Sequence, residues 1–301
     1  MEKLIITGVN GLLGQKVLEH AHGKYEILGI DLHDEPIQRK SKFSYRKLDL
    51  TMRKAVKELI LGYHPHYLVH TAAMTDVDGC ETQKELCWKV NVEATDNIAY
   101  AARKTGTKIV HLSSDYVFDG KSGPYSEADL SQPLGYYGKS KLASENILIA
   151  MEVEHATVRT MVLYGSALNV RPNFMTWLVE KLKKGEPVKI VTDQFGSPTL
   201  ADDLAHAIIR IIEQQKWDLF HISGSEIIDR YNCALKIAEV FKLNKNLISS
   251  VTTPELSQTA LRPLKSGFII TKAETELGIK MANVEDGLKR VRKQDRRFLF
   301  F

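Results

Sequence analysis

The chain has 301 residues, 44% hydrophobic and 26% charged, with a formal net charge of +4, which suffices for a full core in one large domain or a large domain with a smaller lobe. The modest net charge for this length argues against a nucleic-acid binder, and the lack of any apolar run of about 18 residues argues against a transmembrane helix. Cys80, Cys87 and Cys233 form no CxxC pair, and MEKLIITG enters a strand pattern without a secretory h-region, so neither a disulfide framework nor a zinc site is expected and the chain reads as cytoplasmic.

Residues 3–7 read as a strand and 12–20 as a helix with apolar residues at helical spacing. Between them lies Gly8-Val9-Asn10-Gly11-Leu12-Leu13-Gly14, a GxxGxxG loop. Glycines there allow a tight turn, close backbone approach to a pyrophosphate, and close packing of helix on strand. The helix start offers unpaired N–H groups to phosphate. Such a loop is weak as an isolated signal, but here residues 26–31 form a second strand that ends in Asp31, about 20 residues on. Asp31 is suited to accept hydrogen bonds from an adenosine ribose and to repel a 2′-phosphate, which favours NADH over NADPH; the alternative is a turn residue. Arg39 and Lys40 lie close enough in sequence to soften that preference.

A helix over 53–63 halts before Pro65, followed by a strand over 67–71, a long helix over 84–104, a strand over 108–113, a helix over 134–151 and a strand over 156–163. This alternation predicts an α/β, Rossmann-type, doubly wound parallel sheet with helices on both faces. Ligands bind such sheets at the carboxyl ends of the strands, where Gly8, Asp31, Thr71-Ala72-Ala73 and Ser113-Ser114 all fall. After Gly165 the pattern loosens: residues 174–184, 201–214 and 231–241 read as helices, punctuated by Pro172, Pro187, Pro198, Pro254 and Pro263. The expected division is a dinucleotide-binding domain over 1–165 and, over 166–301, a smaller C-terminal substrate-binding lobe interleaved with the first. The tail KRVRKQDRRFLFF is basic and then aromatic, a frayed helix end or a contact surface.

The chemistry is concentrated in Ser113-Ser114-Asp115-Tyr116-Val117-Phe118 and in Tyr136-Tyr137-Gly138-Lys139-Ser140-Lys141. Tyr137 and Lys141 share one helix face. An ammonium beside a phenol favours the phenolate and lowers the tyrosine pKa, making a proton donor or acceptor usable near neutrality. Tyr136 is the weaker choice, because Ser140 and not a lysine follows it by four. A serine from the preceding strand end completes the set by holding the same substrate oxygen. His64 and His66 read as loop residues, and His70 and His111, within strands, as core histidines; no metal cluster is expected.

With these elements in order, the chain resembles the extended short-chain dehydrogenase/reductases. The resemblance implies that Ser114, Tyr137 and Lys141 are catalytic, with Tyr137 and Lys141 also on the cofactor. It further implies that Asn91 supports the active-site backbone, that Asp49 and Leu50 lie by the adenine, and that Ala72 and Ala73 pass under the riboses. The stretches LSSDYVFDG, DQFGSPT and LRP, and Thr75-Asp76-Val77-Asp78, are similar to those of the dTDP-4-dehydrorhamnose reductases, a likeness that runs from Met1 to about Leu288. That narrower resemblance implies NADH or NADPH as cofactor and reduction of a 4-keto group on a nucleotide-linked 6-deoxy sugar to give dTDP-L-rhamnose. Thr75, Val77, Ser114, Asp115, Tyr116, Asn173, Phe174, Gln194 and Arg262 would line the substrate. For Asp115 and Tyr116 a turn role stays open, and for Asn173 and Phe174 a helix cap; Arg262 is the better phosphate ligand because guanidinium offers a fork of donors.

Two departures stand out: Val162 takes the place where those reductases often carry a tryptophan that stacks on the sugar, and Ser114 replaces their usual threonine. The same resemblance covers the regulatory subunit of methionine adenosyltransferase, which would bind cofactor without turnover. An epimerase would hold its cofactor without consuming it. The dehydratase form needs a glutamate after the Asp, and here Tyr116 stands there. A homodimer is an expectation from the family alone.

Overall fold

The computed structural model describes residues 1–38 and 43–294. Its centre is a seven-stranded sheet built from β1 (Lys3–Thr7), β2 (Glu26–Asp31), β3 (Ser44–Lys47), β4 (Tyr67–His70), β5 (Lys108–Ser114), β6 (His155–Thr160) and a later strand, β11 (Leu219–His221). The order is β11-β6-β5-β4-β1-β2-β3 and every pairing is parallel. Buried strands of this kind need apolar side chains on both faces, and alternate residues supply them. Leu4 and Ile6, Tyr67 and Val69, and Val110 and Leu112 pack toward α1 (Leu12–Ala21) and α8 (Ala201–Gln214). Ile5, Leu68 and Ile109 pack on the other face, toward α2 (Arg53–Tyr63), α5 (Ala94–Thr105) and α6 (Tyr136–Ala150).

The long helix expected over 84–104 is helical throughout but not uniform. Two short helices, α3 (Val77–Thr82) and α4 (Lys84–Trp88), lead into one π-helical turn over Lys89–Glu93 before α5 begins. The strand expected over 156–163 is also interrupted. β6 stops at Thr160 and β7 (Leu163–Tyr164) pairs elsewhere, because Val162 sits at φ +43°, a conformation that a β-branched residue rarely adopts.

After β7 the chain builds a second apolar cluster from α7 (Phe174–Lys183), β8 (Val188–Val191) and β10 (Thr199–Leu200), with the short β9 (Phe195–Gly196) between the last two in sequence. It returns to the main sheet as α8 and β11, leaves again through β12 (Ile228–Asp229), α9 (Arg230–Val240) and β13 (Ile248–Val251), packs α10 (Thr271–Leu277) back into the main core, and ends in α11 (Val284–Gln294) on the second cluster. β13 pairs in parallel with β8. Met175, Leu178, Val188, Ile237, Val284 and Leu288 form the core of this lobe. Among the described residues no helix is long and apolar enough to cross a membrane. Arg39, Lys40 and the tail from residue 295 lie outside the described residues.

Candidate active site

Gly8 takes φ +65°, and a Cβ there would stand 2.9 Å from the Cα and N of Ala72, so the loop backbone lies directly on the end of β4. At Gly14 a Cβ would reach to 2.1 Å of the Gly8 carbonyl oxygen; only hydrogen lets α1 close on β1. Gly11 opens α1 without a side-chain cap, leaving first-turn N–H groups and the positive end of the helix for an anion. The loop therefore fits a dinucleotide pyrophosphate.

The polar residues around the loop are more committed than their sequence positions suggested. The Asn10 side chain turns away to fasten the segment after β2, with Nδ2 donating to Glu35 O at 3.3 Å and Oδ1 accepting from Ile37 N at 2.9 Å. Asp31 Oδ2 accepts from Asn10 N at 3.0 Å, and Oδ1 accepts from Leu32 N at 2.8 Å. Leu13 is buried and Leu12 partly so. Asp49 is exposed and closes a turn onto Thr51 N and Oγ1 at 2.9 and 2.8 Å, while Leu50 is buried with its carbonyl accepting from Asn97 Nδ2 at 3.0 Å. Ala72 and Ala73 are half-buried beside the loop.

Ser114 ends β5, and Tyr137 and Lys141 stand one turn apart on α6; all three are buried. The Ser114 hydroxyl lies beside the Tyr137 phenol, while its Oγ donates to Asp115 Oδ1 at 3.1 Å and accepts from Tyr116 N at 3.3 Å. Tyr136, by contrast, turns outward to Trp88 and Lys84. Burial pushes the Tyr137 hydroxyl above its ordinary range, and the neighbouring Ser114 hydroxyl only partly offsets this. Burial also lowers Lys141 from 10.5 to about 8, against the pull of Glu145. The expectation that the lysine simply lowers the tyrosine is thus corrected: in the protein alone, desolvation outweighs the pairing. The Lys141 ammonium makes no hydrogen bond or ion pair among the described residues. A buried cation without a partner suits ribose hydroxyls at the nicotinamide end of a cofactor.

Two buried networks fix these groups. Asn91, in the π-helical turn, accepts from Met74 N at 2.8 Å and donates to Met74 O at 3.1 Å and to Ser140 Oγ at 3.0 Å. Ser140 Oγ in turn donates to the Tyr137 carbonyl at 2.7 Å, so one amide ties the end of β4 to the helix that carries the phenol. The extra residue of a π turn is a recurrent way of placing such a side chain. One turn beyond Lys141, Glu145 pairs with Arg159 of β6 at 3.0 and 2.7 Å, accepts from Ser113 Oγ, and is 6% exposed, as is Arg159.

Beside the triad an open cleft is lined by Asp115, Tyr116, Val162, Gln194, Arg230 and Arg262 among others. Tyr116 packs edge-on against Tyr137 with ring centres 5.4 Å apart. Burial raises the Asp115 carboxyl to about 6, opposed by hydrogen bonds from Ser266, at 3.0 Å, and Ser114. Arg262 spends its fork on Asp78, at 3.0 and 2.7 Å, and on Ala260 O. Gln194 donates to Thr253 Oγ1 and Gln258 Oε1, each at 3.0 Å, and anchors the loop over the cleft. Asn173 caps α7 in a reciprocal box with Thr176, and Phe174 stacks on Trp177. Thr75 is exposed and Val77 packs by Cys80, Cys87 and Tyr137.

Sequence reasoning missed Arg230. It opens α9 behind the Asp229 cap, stands 5.2 Å from the Phe174 ring centre, and its guanidinium has no hydrogen bond or ion pair among the described residues. No local motif marks it; only its place on the cleft wall does.

Residues 1–297 match the RmlD substrate binding domain. The chain belongs to that family. It is 31% identical to the dTDP-4-dehydrorhamnose reductase of Aggregatibacter actinomycetemcomitans over 97% of this chain and 99% of that one. It is also 31% identical to the methionine adenosyltransferase 2 subunit beta of Rattus norvegicus, over 92% of this chain and 83% of that protein. Among solved structures, a dTDP-4-dehydrorhamnose reductase from Bacillus anthracis in complex with NADP is similar with a TM-score of 0.88 and 30% identity, over 98% of this chain and 99% of that one.

Proposed function

We propose that this chain is an NAD(P)H-dependent oxidoreductase that reduces the 4-keto group of a nucleotide-linked 6-deoxy sugar, taking dTDP-4-dehydro-L-rhamnose to dTDP-L-rhamnose. The observation that carries the reading is the convergence of buried Ser114, Tyr137 and an unpartnered Lys141 at the end of β5, beside the cleft that Asp115 and Tyr116 line. When bound, the reduced nicotinamide supplies the hydride that adds to the keto carbon. Tyr137 gives its phenolic proton to the keto oxygen, and Ser114 holds that oxygen. Lys141 is protonated below about pH 8 and stabilises the phenolate left behind, a general acid step worth about 10²–10⁴-fold. Arg230, with a free guanidinium on the cleft wall, is the better candidate for the substrate diphosphate than Arg262, whose donors Asp78 already takes.

The test is oxidation of NADH and of NADPH, in parallel, with dTDP-6-deoxy-L-lyxo-4-hexulose. Turnover is expected. The likeness to a methionine adenosyltransferase subunit favours a second reading, a cofactor-binding regulatory subunit. It predicts tight cofactor binding and no turnover with any nucleotide sugar.

A further inference from the structure

The strand end that receives an adenosine ribose in this fold carries two side chains, not one. Besides the backbone N–H groups of Asn10 and Leu32, the Asp31 carboxylate meets His33 Nδ1, 2.8 Å from Oδ1. An ionised carboxylate can only accept, so His33 Nδ1 holds the hydrogen and Nε2 is the ring's remaining nitrogen. Exposure divides the pair: the Asp31 side chain is 12% accessible and that of His33 65%. An incoming ribose 2′ substituent therefore meets imidazole before it meets carboxylate.

The position of the ring is prepared. Tyr45 Oη donates to the His33 carbonyl at 2.6 Å, and the two bonds of the Asn10 side chain to Glu35 and Ile37 hold the segment behind it. Lys47, opposite Asp31 in the sheet register, is paired with Asp34 Oδ1 at 2.6 Å. A bare acid at this place accepts the 2′-hydroxyl and repels a 2′-phosphate. A histidine held against that acid covers it, and as imidazolium it offsets the repulsion and donates from Nε2.

We propose that His33 sets the cofactor choice of this chain: paired with Asp31, it shields the carboxylate and binds a 2′-phosphate, so that NADPH is accepted alongside NADH. The inference rests on the dinucleotide reading of the glycine loop given above.

The experiment is fluorescence titration of the full chain with NADPH and with NADH at one pH and ionic strength, for the parent, His33→Ala and His33→Lys. His33→Ala is expected to weaken NADPH by about tenfold or more, the size of one charge-assisted hydrogen bond, and NADH by less than about threefold. His33→Lys, which restores a cation, is expected to recover most of the NADPH affinity. Equal losses for both cofactors in His33→Ala, or no loss for either, overturn the inference while leaving the reductase reading intact. Failure of the parent chain to bind either cofactor would remove the dinucleotide reading, and this inference with it.

Discussion

Replacing Lys141 by methionine separates what this side chain does in catalysis from what it does to stability. The ammonium is buried, makes no hydrogen bond among the described residues, and is lowered from 10.5 to about 8, chiefly by burial. At 1.36 kcal/mol per pH unit that gap corresponds to about 3 kcal/mol. The sign follows from proton counting. The unfolded lysine keeps its proton up to its ordinary 10.5, whereas the folded one releases it from about 8. Stability from this group therefore rises with pH between those values and is lost as pH falls through about 8. Methionine has similar length and no charge, and Glu145 retains Arg159 as its partner. Lys141→Met is expected to unfold later in guanidinium by about 2–3 kcal/mol at pH 7, the gain shrinking as pH approaches 10, while reductase turnover falls by about 10²-fold or more. A variant no more stable than the parent at pH 7, or a gain that does not change with pH, would refute the argument from burial.

Asp115 obeys the same logic with the opposite charge. Its folded-state value of about 6 lies above the ordinary 3.8, so its contribution is present below pH 3.8 and lost as pH rises through about 6; Asp115→Asn should be up to about 3 kcal/mol more stable than the parent at pH 7 and equal to it near pH 4, as denaturant titration at both pH values will show. Glu145→Leu strands the buried guanidinium of Arg159 and should destabilise by about 3–5 kcal/mol, while Glu145→Leu with Arg159→Met recovers most of that loss in thermal melts. Asn91→Ala frees Met74 and Ser140; kcat is expected to fall by about tenfold or more with the dissociation constant for NADH little changed, since positioning rather than binding is lost.

The main sheet was legible because its strands are buried on both faces and bounded by strong punctuation. Residues 3–7 and 26–31 are near-continuous apolar runs, and α2 ends where His64 turns left-handed before Pro65. β3 was not legible: Ser44–Lys47 is short, polar and at the sheet edge, where one-sided burial leaves little apolar pattern. The break at Val162 runs against local preference, since a β-branched residue in the left-handed region is a tertiary demand that no local rule anticipates. In the site, the Tyr137 and Lys141 spacing was readable because both lie on one helix. The engagement of Arg262 by Asp78 was not, because the partners are 184 residues apart in sequence. Arg230 was hidden for the same reason, and the cap that Asn173 makes through Thr176 N is a feature only the folded chain displays.

The central claim is that the Tyr137 phenol gives its proton to a sugar keto oxygen. It is tested most directly by comparing Tyr137→Phe with the parent in oxidation of NADPH by dTDP-6-deoxy-L-lyxo-4-hexulose, alongside titration of the cofactor alone. The predicted result is unchanged cofactor binding with turnover reduced by about 10²–10⁴-fold. Near-parental turnover in Tyr137→Phe would contradict the mechanism and move the proton donor elsewhere in the cleft.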